Sequence, residues 1–185
     1  MKFFKENSSV IARLIITHIG MSVFGLVIFL ATNQQGDNVM LIASIASLLF
    51  YGVIAYTTMW EYGSKDKPAI DAGRLDYKPS NAFLSALVAE LVGVIIILVY
   101  LISSFYIDAF ETAKQIYAIS YLVLYVVQSC ASGFMLFFHH LYENALINSL
   151  CLMISPLLIC ICSMAGYALG AKGIHILPEK KINKK

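Results

Sequence analysis

The sequence predicts an all-α membrane protein: a polytopic bundle of four transmembrane helices, with an interfacial or re-entrant helical segment on the outer side. Three observations predict it. First, 59% of the 185 residues are hydrophobic and only 13% are charged. An average soluble domain carries about 25% charged residues, so this chain cannot cover a water-facing surface of its size. Second, the apolar runs at 10–31, 40–60, 82–105 and 150–171 are each long enough to cross about 30 Å of hydrocarbon as a helix. Third, Lys and Arg concentrate in segments that must then share one side of the membrane.

The first run follows Lys2 and Lys5 and so mimics a signal peptide. It is too long for a secretory core of about 7–15 residues and has no clean small-x-small site, so it is read as a retained span. The second run ends at Trp60, where Gly63 is placed to cap the helix. Trp60, Tyr62 and Tyr77 suit an inner interfacial belt. A polar connector over 61–81 then carries Glu61, Asp66, Asp71 and Asp76 beside Lys65, Lys67, Arg74 and Lys78. Pro68 and Gly73 are expected to divide it. Pro79-Ser80-Asn81 reads as a helix start.

The ambiguous segment is 117–138. Tyr117, Tyr121 and Tyr125 recur one helical turn apart, and Gln128 extends that face. Such a stripe predicts a helix lying at a membrane–water interface. Gly133 and its polar neighbours are expected to break it. The basic N-terminus, the 61–81 connector and the basic tail 172–185 all favour the cytosol, which requires an even number of crossings. The segment 117–138 should therefore not cross. The alternative is five spans with the tail outside. The expected location is the cytoplasmic membrane, with the lipid bilayer as first partner and both termini cytosolic.

In lipid, helices associate through small residues. Ser85, Ala89 and Gly93 mark one face of the third span, and Ser44, Ser47 and Ala55 part of a face of the second. Gly166 and Gly170 form a GxxxG pair in the last span, near Pro156. They predict a close intramolecular contact or, alternatively, a homo-oligomer face.

Glu90 is the deepest acid. By helical rise it lies about 12 Å from the start of its run, and His18 is at about the same depth in the first. A carboxylate there costs a few kcal/mol even on lenient scales, so it should face the bundle and find a partner. His18 is the expected partner, with Arg13 the second choice; a protonated Glu90 bonded to a hydroxyl or carbonyl is the structural alternative.

Other chemistry is not expected. Cys130, Cys151, Cys160 and Cys162 lie in apolar runs, not in disulfide-bearing loops. Cys160 and Cys162 point about 200° apart on a helix and cannot easily share an ion. The string HHLYE, with His139, His140 and Glu143, fits neither common zinc-protease spacing. No nucleotide-binding loop and no basic–aromatic stripe for nucleic acid occur. No metal, no cofactor and no catalytic constellation are therefore predicted, and the chain is not expected to be an enzyme.

The strings WEYGSKDK (W-x-x-G-x-K-D), YKPS before a span and GYALGAK (G-Y-x-x-G-x-K) resemble a group of uncharacterised small polytopic membrane proteins of clostridia and related Firmicutes. The resemblance implies the four-span layout and no activity. The leading functional expectation is a non-enzymatic accessory or scaffold subunit. It would bind a membrane protein partner, or a second copy, through its small-residue faces or through Lys65, Asp66 and Arg74. The alternative is a small transporter or channel component using Glu90 with His18 or Arg13.

Overall fold

The structure, a computed structural model, describes residues 2–141 and 145–174. The His139, His140 and Glu143 cluster and the lysines beyond Lys172 fall outside the described residues and side chains. Among the described residues every regular element is helical: α1 (Lys2–Thr32), α2 (Asp37–Asp71), α3 (Pro79–Phe105), α4 (Glu111–Val127), α5 (Ser132–Leu141) and α6 (Ala145–Lys172). A 3₁₀ turn at Ser129–Ala131 separates α4 from α5. Four of these helices, α1, α2, α3 and α6, are long and apolar enough to cross a membrane.

The four long helices form a ring in the order α1, α2, α6, α3, so α2 faces α3 across the middle. Their outward faces are apolar. On α1 the residues Ile16, Ile19, Val23, Val27 and Leu30 recur every three or four positions and are all well exposed. Serines, Glu90 and Asn148 are buried instead. Apolar outside and polar inside is the pattern expected when lipid is the solvent.

The closest contact is between α2 and α6. A Cβ on Gly166 would strike the Tyr56 carbonyl, one on Gly170 would strike the Trp60 carbonyl, and one on Gly63 would strike the Tyr167 carbonyl. Gly52 faces the Cys162 sulfur, 3.2 Å from where a Cβ would sit. Matching positions ascend together on both helices, so α2 and α6 run parallel. The GxxxG pair thus serves an intramolecular contact.

This parallel pairing fixes the path between α3 and α6. Arg13 meets Glu61 and Phe24 meets Phe50, so α1 runs antiparallel to α2. Consequently α1 starts at the end where α6 finishes; we call this the near end. The 72–78 connector also lies there. The far end carries the starts of α2 and α6 and the finish of α3. The chain therefore leaves α3 and enters α6 at the same end. Between them α4 and α5, bent by 94°, dip into the bundle and return. They form a re-entrant excursion, not a fifth span. Among the described residues Lys114 is the only Lys or Arg placed at the far end.

Three local expectations change. First, Gly63 does not cap α2, which continues through Pro68 to Asp71. Trp60 donates to the Ile174 carbonyl (2.9 Å), Lys67 to the Lys172 carbonyl (3.3 Å), and Tyr167 to Asp66 (2.9 Å). Packing on α6 overrides the local breakers, and the real turn comes at Gly73, whose φ of 66° suits glycine. Second, the tyrosine stripe faces protein. Tyr117 stacks on Tyr100 of α3 with ring centroids 4.8 Å apart, and Tyr125 packs on Phe29 of α1. Third, the break falls after Val127, ahead of Gly133. The amide of Gly133 donates to Ser44 Oγ (2.8 Å), and its missing side chain lets α5 lie against the Met40 carbonyl.

Replacing Gly170 by Leu should push α6 off α2 and lower stability by about 1–3 kcal/mol, as expected for overpacking. Gly20→Ala, at a position with nothing within 4 Å of the added carbon, should not lower it, since Ala favours a helix interior over Gly. Thermal unfolding in detergent micelles measures both.

Candidate functional site

In hydrocarbon an interrupted helix is tolerated only where protein covers the freed backbone groups. Here α1 supplies the cover. Ser22 Oγ donates to the Val127 carbonyl (2.8 Å), Ser129 Oγ donates to the Ser22 carbonyl, and Cys130 Sγ approaches the Met21 carbonyl (3.1 Å). Gly25 leaves room for this turn, because a Cβ there would lie 2.5 Å from the Cys130 amide nitrogen. The tip of the excursion is thus pinned deep in the bundle.

That depth brings Gln128 to Glu90. Its amide Nε2 lies 3.5 Å from Glu90 Oε2. Gly93 makes this possible, since a Cβ on it would overlap the Gln128 amide. Gly93 therefore accommodates a side chain and is not a helix–helix contact. Glu90 itself is fully buried. Tyr51 of α2 donates to its Oε1 at 2.5 Å, and His18 Nδ1 of α1 lies 3.0 Å from the same oxygen. His18 Nδ1 is also 3.1 Å from the Tyr51 hydroxyl, so the three groups form a tight triangle.

Donors from α1, α2 and the α4–α5 tip thus converge on one carboxylate of α3. Three donors suit an ionised carboxylate, which accepts hydrogen bonds only. The Glu90–His18 pair can hold one proton in either of two places, a carboxylate facing an imidazolium or a carboxylic acid facing a neutral imidazole.

The structure brings Glu90 and His18 together and leaves Arg13 elsewhere. Arg13 pairs with Glu61 at 3.1 Å, both about half exposed, and sits near the Tyr62 ring. An exposed pair of this kind contributes little. Ser85 and Ala89 are buried on the inner face of α3. Sequence reasoning missed Tyr51. Counting from Asp37, it lies about 21 Å along α2 by helical rise, and Glu90 lies about 22 Å from Phe105, so matching depth from the far end would have found it. It also missed Tyr100, whose hydroxyl meets that of Tyr117 at 3.1 Å.

A polar cleft of about 630 Å³ opens at the near end. Arg74, Asp76, Lys78 and Asp66 line its walls, while Val10, Met59, Ala82 and Tyr167 belong to the ring of long helices. Of the connector candidates, Asp66 is committed to Tyr167 and Arg74 lines the cleft. Lys65 is exposed beside the Tyr62 ring, 5.6 Å from its centre. Lys78 bonds Asp76 at 2.8 Å and holds that carboxyl below the usual carboxylate range.

Glu90→Ala should cost about 1–3 kcal/mol, because it leaves Tyr51 and His18 buried without their acceptor. Glu90→Gln keeps an acceptor oxygen and should cost less. In a double-mutant cycle with Tyr51→Phe, a coupling of at least about 0.5 kcal/mol is expected, as for residues in direct contact. Denaturant unfolding in micelles reads all of these. No protein family, curated protein or solved structure matches the chain, and its four long apolar helices mark it as a membrane protein.

Proposed function

We propose that this protein is a small transport component of the cytoplasmic membrane that handles a proton or small monovalent cation at Glu90. The observation that carries the reading is the convergence of His18, Tyr51 and Gln128 on a fully buried carboxylate near mid-bundle. Acids in such places are expensive and tend to mark ion or proton paths. The interrupted helix that delivers Gln128 supports the same reading. Discontinuous helices meeting near the bilayer midplane are a recurrent way to build ion and substrate sites in transporters. The near end, with its lysines and arginines, faces the cytosol.

A second reading, an accessory or scaffold subunit without enzymatic activity, draws on one observation. α2 has 35 residues, about 52 Å of helix against about 30 Å of hydrocarbon. Its end projects past the membrane and presents Lys65, with Arg74 just beyond it.

Purified protein in lipid vesicles should pass protons or sodium when a membrane potential is imposed, read by trapped pH- or sodium-sensitive dyes. Glu90→Gln should remove that flux. Flux no greater than in empty vesicles, or equal flux in the Gln variant, sinks the transport reading. Recovery of a stoichiometric partner from native membranes in mild detergent would then favour the second. A C-terminal reporter enzyme that works only outside the cytoplasm should stay inactive.

A further inference from the structure

The ring of long helices is packed differently on the two sides of Glu90. On the far side the filling is bulky. Tyr100, Ile97, Leu124, Met135 and Leu152 are all completely or almost completely buried there. The tyrosine hydroxyls in this half meet one another, Tyr100 with Tyr117 and Tyr121 with Tyr125 (3.0 Å).

On the near side the filling becomes small one turn below the cleft. Val10, Met59, Ala82 and Tyr167, one from each long helix, line the cleft. One helical turn deeper stand Leu14 on α1, Ala55 on α2, Ser85 and Ala86 on α3, and Ser163 on α6. Glu90 follows in the next turn. Only Leu14 in this layer is large.

Ser85 and Ser163 share one chemical feature. Both are fully buried, and neither hydroxyl has a hydrogen-bond partner. Ser155 of α6 is also buried without a partner, but by helical rise it lies about 7.5 Å to the far side of Cys160, one turn from Leu152 in the bulky half. Three other serines of the long helices turn back to their own backbone. Ser47 bonds the Ala43 carbonyl (2.8 Å), Ser103 the Tyr100 carbonyl (3.0 Å), and Ser149 the Ala145 carbonyl (2.8 Å). A buried hydroxyl without a partner costs about 1–3 kcal/mol, which water removes. By helical rise Ser85 lies about 7.5 Å on the near side of Glu90. Ser163 lies one turn from Cys160, which packs in one cluster with Ala86 and Ala89 of α3.

We infer that Glu90 exchanges protons with the near-end compartment alone, through a water path running from the cleft past Ser163 and Ser85. This rests on the transport reading and adds a direction to it. In loading, a hydronium ion of the path loses one O–H bond, an Oε–H bond forms on Glu90, and neutral water remains. Unloading to the same side reverses this. The groups facing Glu90 are His18 from α1, Tyr51 from α2, Gln128 and Cys130 from the excursion, and Cys160 from α6. Passage to the far side would then require the α4–α5 excursion to shift.

Single variants Ser85→Cys, Ser163→Cys and Leu152→Cys test the path, each compared with the parent and its native cysteines. The probe is a methanethiosulfonate with a fixed positive charge, applied to sealed cells and to inverted vesicles. Labelling is read as added mass on protein that elutes as a single species. Such reagents attack the thiolate, which needs water. Cysteines at 85 and 163 should label from the near side at least about tenfold faster than from the far side, and the one at 152 from neither. Labelling of 85 and 163 from the far side only, or from neither side, overturns the path. This result does not depend on flux. Unlabelled cysteines with flux still lost in Glu90→Gln reject the path and keep the transport reading; labelled cysteines with unchanged flux do the reverse.

Discussion

The backbone-to-backbone approach of α2 and α6 is the constraint from which the rest follows. Gly63, Gly166 and Gly170 remove the side chains that would hold the two helices apart. In lipid, where hydrophobicity does not drive helices together, close packing of this kind is a main source of association. In this contact the helices run parallel. Parallel helices force α6 to begin where α2 begins, so α4 and α5 must return to the end they came from. The excursion is thus a consequence of a glycine contact on the other side of the ring.

Returning chain at that depth creates a second problem and, in solving it, the site. The interruption between Val127 and Ser132 exposes backbone groups that hydrocarbon cannot satisfy. Ser22 meets that need at the Val127 carbonyl, while the Cys130 thiol on the Met21 carbonyl and the space at Gly25 hold the turn against α1. Anchoring the turn on α1 fixes where Gln128 sits, and Gly93 opens the space it fills. Local fold stability and the polar centre are therefore the same set of contacts. The triangle of His18, Tyr51 and Glu90 closes the space between the diagonal helices α2 and α3, which otherwise barely touch.

Much of this architecture was legible in the sequence, and the reasons for the exceptions are physical. Composition and run length marked four spans because lipid imposes a length on apolar helices. The lysine distribution argued that 117–138 does not cross, and the geometry agrees. The depth count placed Glu90 beside His18, and they lie together. What the sequence could not carry was rotation. Tyr51 looked ordinary until α2 turned it toward Glu90. Tyr117, Tyr121 and Tyr125 fit a headgroup-facing stripe and a protein-facing stripe equally well, because both need an amphipathic helix. The end of α2 was misplaced for a different reason. Gly63 and Pro68 are local breakers, yet contacts more than 100 residues away in sequence keep the helix going. Local signals have no access to such partners.

The close contact of α2 and α6 also joins two strings of the sequence. WEYGSKD and GYALGAK lie far apart in the sequence. In space Gly63 lies on Tyr167, Gly170 on Trp60, and Asp66 accepts from Tyr167. They are two halves of one surface. Their joint presence is a single structural requirement. The same fact gives relatives a sharper criterion. Where one half departs from its pattern, a true relative will show the compensating change in the other, and a chance match will not.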